Sequence, residues 1–184
     1  MAVAASPMLP VLLMFIAFAT ATTGTAETKT ALDETCAFLG DEYVTPELCT
    51  SVLCADPSDP CRAARDAPAV AALAARLAAR NATATKGSVE AALAAHAGNA
   101  TVAKGIASCL KLYAGVVPSL QQAAQSVAAG RYSDGREALH AALFVSGLCE
   151  KGMAGNAAAL PRENDAFTYM SFVAHAVVAH MVRD

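Results

Sequence analysis

The side chains in this 184-residue sequence that could do chemistry are six cysteines, at positions 36, 49, 54, 61, 109 and 149, and four histidines, at 96, 140, 175 and 180. Thiols offer nucleophilic catalysis, metal ligation or disulfides, and imidazoles offer proton transfer or metal ligation. No two histidines stand three or four residues apart, so no helix turn carries a ligand pair, and no acidic partner recurs beside them. A metal site is therefore not expected, and His175 is expected on the polar side of a helix. The Gly-x-Ser-x-Gly turn that presents a hydrolase nucleophile is absent. Adjacent carboxylates at Asp33 and Glu34, and at Asp41 and Glu42, read as solvated faces or caps rather than as an acid–base pair. No catalytic residue, metal or cofactor is expected, and the chain does not read as an enzyme.

What the cysteines do depends on compartment. Residues 1–26 carry no charged side chain and hold an apolar run, 9–19, ended by small residues up to Ala26. This reads as a secretory leader, with residues 27–184 as a single mature domain large enough for one core. The apolar run is shorter than the roughly 20 residues of a spanning helix. A retained membrane anchor is the alternative; no second run of spanning length follows, so no membrane contact is expected once the leader is removed. An exported chain matures in an oxidising environment, where disulfides prevail over thiols and metal ligands. Cys36 and Cys49 bracket a turn-forming stretch at 41–46. Cys54 and Cys61 bracket Ala55-Asp56-Pro57-Ser58-Asp59-Pro60, a strong loop composition. That leaves Cys109 and Cys149, which flank the turn-like stretch 129–135 and would lock a helical hairpin at its open end.

The elements that must position these residues are helices. Alanine dominates, and no alternating β-branched pattern of useful length occurs, so an all-α fold without sheet is expected. From Ile106 the positions Leu110, Tyr113, Val117, Leu120, Ala124 and Val127 follow steps of three and four on one face. Pro118 predicts a kink or break near 116–119 in that helix, and Gly130 predicts its stop. Asp134 with Glu137 resembles a capping box opening a helix that runs through Leu139, Ala142, Leu143 and Ser146 to Cys149. A last helix is expected after Pro161, near Asn164 or Asp165, burying Phe167, Met170, Ala174, Val177 and Met181. Asp66 before Pro68 predicts another start, with Val70, Leu73 and Leu77 on one face. Val89 and Leu93 fall out of phase with them, so that helix either bends near Gly87 or rotates its buried face. Asn99-Ala100-Thr101, in an expected loop at 98–101, and Asn81-Ala82-Thr83 are N-glycosylation acceptor patterns. The formal net charge of −3 and the scattered Lys and Arg exclude the clustered basic footprint of a nucleic-acid binder.

Taken together, these residues resemble the plant invertase and pectin methylesterase inhibitor family. The resemblance rests on Cys36 and Cys49 with Leu53 four residues on, Cys109 with Tyr113 four residues on, Tyr132 before the next helix, Cys149-Glu150, and Asn164 ahead of the last apolar helix. It implies an up-and-down four-helix bundle with an N-terminal helical hairpin extension, stapled by Cys36–Cys49 and Cys109–Cys149; Cys54 and Cys61 are additional to the family's four cysteines. It also implies a secreted inhibitor, in the apoplast or alternatively the vacuole, that blocks the active-site cleft of an acid invertase or a pectin methylesterase. Characterised invertase inhibitors carry Pro-Lys-Phe at the turn between the disulfide-linked helices. Here the matching place holds Gly130-Arg131-Tyr132, which keeps a cation and a ring, so these three are the candidate target contacts. An ordinary structural use for each competes with that reading: a helix stop, a solvated cation and a ring packed on the bundle. In pectin methylesterase inhibitors the contact surface lies along the helix faces. Two other functions remain open: a small secreted carrier of apolar ligands, although the Cys-Cys and Cys-x-Cys pairs of lipid-transfer proteins are missing, or a non-inhibitory member of the same fold.

Overall fold

The fold is described by a computed structural model covering residues 29–40 and 44–183. The expected leader at 1–26, and Asp41 and Glu42, lie outside the described residues. Among the described residues seven α-helices follow in order: α1 (Ala31–Gly40), α2 (Pro46–Leu53), α3 (Ala67–Ala95), α4 (Ala100–Ala128), α5 (Tyr132–Ala142), α6 (Val145–Gly152) and α7 (Arg162–Arg183). No strand occurs among the described residues. Several starts are fixed by short polar side chains that satisfy the first unpaired amides. Asp66 Oδ1 accepts from the Ala69 amide at 2.8 Å with Pro68 in the first turn of α3, Thr45 accepts from Leu48 at 3.2 Å before Pro46, and Asn99 accepts from Val102 at 3.2 Å.

Helix α3 packs against α4 and α7, and α5 packs against the same two, which closes a four-sided ring. Neighbours run in opposite senses. Thr85 of α3 meets Glu163 at the start of α7 while Leu77 shares a groove with Met170, and His140 meets His175 while Ser146 meets Thr168. The result is an up-and-down bundle whose third arm is α5 followed by α6. Helices α1 and α2, joined by Cys36–Cys49, pack together and lie against α3 and α7. All six cysteines are paired, Cys54 with Cys61 and Cys109 with Cys149 completing the set.

The buried stripe of α4 is Val102, Ile106, Cys109, Tyr113, Val116, Leu120, Ala123 and Val127. From Ile106 on, steps alternate three and four, the spacing of knobs-into-holes packing. Leu110, Val117 and Ala124, expected at its centre, sit half-buried at its edge. Pro118 does not break α4, which runs without interruption from Ala100 to Ala128. The ring removes the bond to the Ala114 carbonyl, and both residues are exposed, so water can take that acceptor. Helix α3 also continues through Gly87. Val89 joins Val70, Ala74, Ala78, Ala82 and Thr85 in a drifting row of buried residues that alanine, small enough for close helix contact, carries across the middle.

Further expectations are corrected. The α5 helix begins at Tyr132, two residues before Asp134, so Asp134 lies inside the first turn rather than capping it. The helix expected to run unbroken to Cys149 is split at Leu143 and Phe144. There Leu143 donates to the His140 carbonyl and Phe144 to that of Ala141, a tighter i to i−3 pattern that resets the helical phase. Helix α7 likewise starts at Arg162, directly after Pro161. Its buried face includes Phe167, Met170, Ala174 and Val177, whereas Met181 is half-buried.

At the centre, the fully buried Tyr113 hydroxyl donates to Asn164 Oδ1 at 3.0 Å, and Asn164 donates to the Ser146 carbonyl at 3.5 Å. Burial, with the nearby charge of Asp165, pushes the Tyr113 phenol above its ordinary range and keeps it protonated as a donor. The Tyr113 ring meets Phe167 edge-on at 5.4 Å. Thus α4, α6 and α7 are tied by one polar relay a turn from the Cys109–Cys149 bridge.

Candidate functional site: a fixed turn and an aromatic helix face

Gly130, with φ of +78°, ends α4 in the left-handed region that glycine enters without a Cβ penalty. Its amide donates to the Val127 carbonyl at 2.9 Å and the Arg131 amide to that of Ser126 at 2.9 Å, the double bond pattern of a Schellman stop. The backbone thereby aims Arg131 outward. Its side chain is 59% exposed, yet the guanidinium is held by Ser126 Oγ at 3.2 Å and faces Asp134 at 3.4 Å. Tyr132 opens α5 half-buried against the core. Gly130, Arg131, Tyr132 and Asp134, with Met181 of α7, line a shallow cavity of about 320 Å³. The three candidate contacts therefore stand together at one end of the bundle, with a fixed cation and a ring of which part remains open to water.

Close helix approach supports this turn. A Cβ added at Gly135 would stand 2.3 Å from Val127 Cγ2, so hydrogen alone fits where α5 leaves the turn against α4.

A second surface escapes the reading of buried stripes. Phe144 and Leu148 on the α6 side, and Tyr169 and Phe172 on α7, are exposed, Phe144 by 55% and Tyr169 by 54%. Each pair is three or four residues apart, and the Ser146–Thr168 hydrogen bond at 2.7 Å joins the two helices between them. The signal was present: Tyr169 and Phe172 fall outside the row Phe167, Met170, Ala174 and Val177, so they had to face elsewhere.

The histidines come together in a way their sequence spacing does not reveal. His140 of α5 and His175 of α7 have rings 5.5 Å apart, and His140 also meets Phe144 edge-on. His175 is half-buried and lines a groove with Arg136, Glu137 and His140. Burial first, then the charges of His140 and Arg136, hold its pKa below the usual imidazole value. Among the described residues no three histidine, cysteine, aspartate or glutamate side chains are gathered as a metal site. Asn99 is exposed while its side-chain oxygen caps α4; Asn81 is half-buried inside α3, and its Oδ1 is buried without a hydrogen-bond partner.

The chain is thus a covalently braced helical bundle with Arg131 exposed at one end and apolar side chains exposed across α6 and α7. Residues 30–177 match the family described as plant invertase/pectin methylesterase inhibitor. The chain belongs to that family, whose members are inhibitors rather than enzymes. A comparison with curated proteins returns no match.

Proposed function

We propose that the mature chain is a secreted inhibitor of an acid invertase or a pectin methylesterase that occludes the enzyme's active-site cleft by forming a complex. The observation that carries this reading is the pose of Arg131: a Schellman turn fixes its backbone, Ser126 and Asp134 orient its guanidinium, and Cys109–Cys149 braces the two arms behind it. A cation held in advance loses little conformational freedom on binding, and a guanidinium fork suits the carboxylates of a glycosidase cleft. Gly130 and Tyr132 complete the contact. Export to the apoplast, and a glycan on Asn99 ahead of Asn81, accompany this proposal.

A second reading is favoured by the exposed face of Phe144, Leu148, Tyr169 and Phe172, which offers apolar area along helix sides to a pectin methylesterase. One titration decides between them. Residues 27–184, purified in oxidised form, are added to an acid invertase and to a pectin methylesterase in parallel. Loss of activity at close to one-to-one stoichiometry is expected with one enzyme, and full activity of both at excess inhibitor would reject inhibition of either.

A further inference from the structure

The three disulfides are not equivalent. Cys36, Cys49, Cys109 and Cys149 are at most 1% exposed, so an external thiol reaches them only after helices separate. Cys54 and Cys61 are half-buried at the edge of the core and close the shortest covalent loop, with a sequence separation of 7. The chain beside Cys54 also lines an open groove of about 450 Å³, formed by Val52, Ala55, Asp56 and Pro57 with Leu77 and Met170 across from them. The cysteines do not line that groove themselves, but their half-buried position leaves this bond open to a small thiol, whereas the other two bonds are enclosed.

The same loop is held by a second, non-covalent set of ties. Asp56 pairs with Arg80 at 2.7 Å, Asp59 with Arg76 at 2.9 Å and with Arg80 at 3.1 Å, and Arg62 with Asp33 at 2.7 Å. Each is exposed enough to be weak alone, but they converge from α1 and two successive turns of α3 on one short segment. The loop therefore keeps its place on the bundle when the sulfur bond opens. The bond itself removes the least chain entropy of the three, because loop-closure entropy grows with loop length.

We propose that Cys54–Cys61 is a thiol-exchange site, the one disulfide of the folded protein that an external dithiol reduces. One thiolate of the dithiol attacks a sulfur of the bond, forming a mixed disulfide and displacing the other cysteine as a thiolate, which takes a proton from water. The second thiolate of the reagent then attacks the mixed disulfide and releases the remaining cysteine, which is protonated in turn. Two electrons and two protons pass to the protein, and the reagent leaves as its own cyclic disulfide.

Brief exposure of the oxidised chain to dithiothreitol, trapping with iodoacetamide and peptide mapping test this directly. Alkylation is expected at Cys54 and Cys61 faster than at the other four by at least about tenfold, with the helical circular dichroism retained. Labelling of all six together, or of Cys36 and Cys49 first, would overturn the proposal. The double variant Cys54→Ser with Cys61→Ser supplies a second check: it is expected to fold with unchanged helical signal and to show no early alkylation. A loss of helical signal in that variant would make the bond structural and would equally overturn it.

Discussion

The turn between α4 and α5 and the face across α6 and α7 are two different solutions to binding on one molecule. At the turn, a few polar atoms are held by backbone hydrogen bonds, and the affinity they can give depends on a partner with charge in the right place. On the face, four large side chains stand in water, and what they give scales with apolar area removed from it, at roughly 25 cal/mol per Å². A turn selects its partner by geometry; a face tolerates more variation but needs extent. Both depend on one arm of the bundle, and that dependence provides ways to separate them.

Replacing Cys109 and Cys149 together by alanine removes the brace under both surfaces. By the chain-entropy argument for a separation of 40 residues, unfolding stability should fall by about 4 kcal/mol, measured by denaturant titration of the oxidised protein. Tyr113→Phe leaves Asn164 Oδ1 buried without its donor and should cost about 2 kcal/mol in the same measurement. It reaches both surfaces only through stability, so any inhibition should remain near wild type at temperatures where the variant is folded.

Smaller effects distinguish the surfaces themselves. If the face binds the target, Tyr169→Ala with Phe172→Ala should weaken inhibition of pectin methylesterase by about thirtyfold, equivalent to roughly 2 kcal/mol for exposed anchors that become buried. Arg131→Ala should then leave that inhibition unchanged. If the turn binds, Arg131→Ala should weaken inhibition of invertase by about tenfold with stability altered by less than about 0.5 kcal/mol, and the aromatic pair should be silent. Inhibition constants for both variants against both enzymes give the answer.

The smallest expected effect is a pH dependence that lies close to both surfaces. His175 has a folded pKa below the ordinary imidazole value of about 6.5, so the fold favours its neutral form. Its contribution to stability is present above pH 6.5 and is lost as pH falls through the lowered folded value. The Arg136 guanidinium, the Glu137 carboxylate and the His140 ring of α5 line the same groove. The melting temperature should therefore drop slightly between pH 7 and pH 5, and less so in His175→Gln. Asp33 and Asp56 also have lowered values, but those carboxylates lose their contribution only in more acid solution, below the usual value of 3.8.

Much of the bundle was legible because its signals are local. Asp66 before Pro68, Pro161 before α7 and Gly130 after α4 each mark an end through chemistry confined to a few residues. The α4 stripe was read on the correct face and displaced by one position at three of its steps, because Cys109, Val116 and Ala123 are the packing residues in the fold and were passed over for Leu110, Val117 and Ala124. The split between α5 and α6 has no glycine or proline to announce it; it comes from tertiary fit, as one arm packs against α4 and α7 and also brings Cys149 to Cys109. The candidate turn was legible as Gly130-Arg131-Tyr132, since a glycine stop is a local event. The pairing of His140 with His175 was not, because two residues 35 positions apart in the chain meet only through the antiparallel course of α5 and α7. The aromatic face was missed for a related reason: only a completed bundle says which side of a helix is left without a neighbour.

The contact between Gly135 and Val127 makes the aperture of the α4–α5 corner a mechanical setting, separate from the chemistry displayed there. A single methyl at position 135 would act as a wedge, forcing the Val127 side chain or the helix that carries it to shift while every outward-facing group kept its identity. The packing of the corner can thus be altered from inside the hairpin without changing which groups the turn displays.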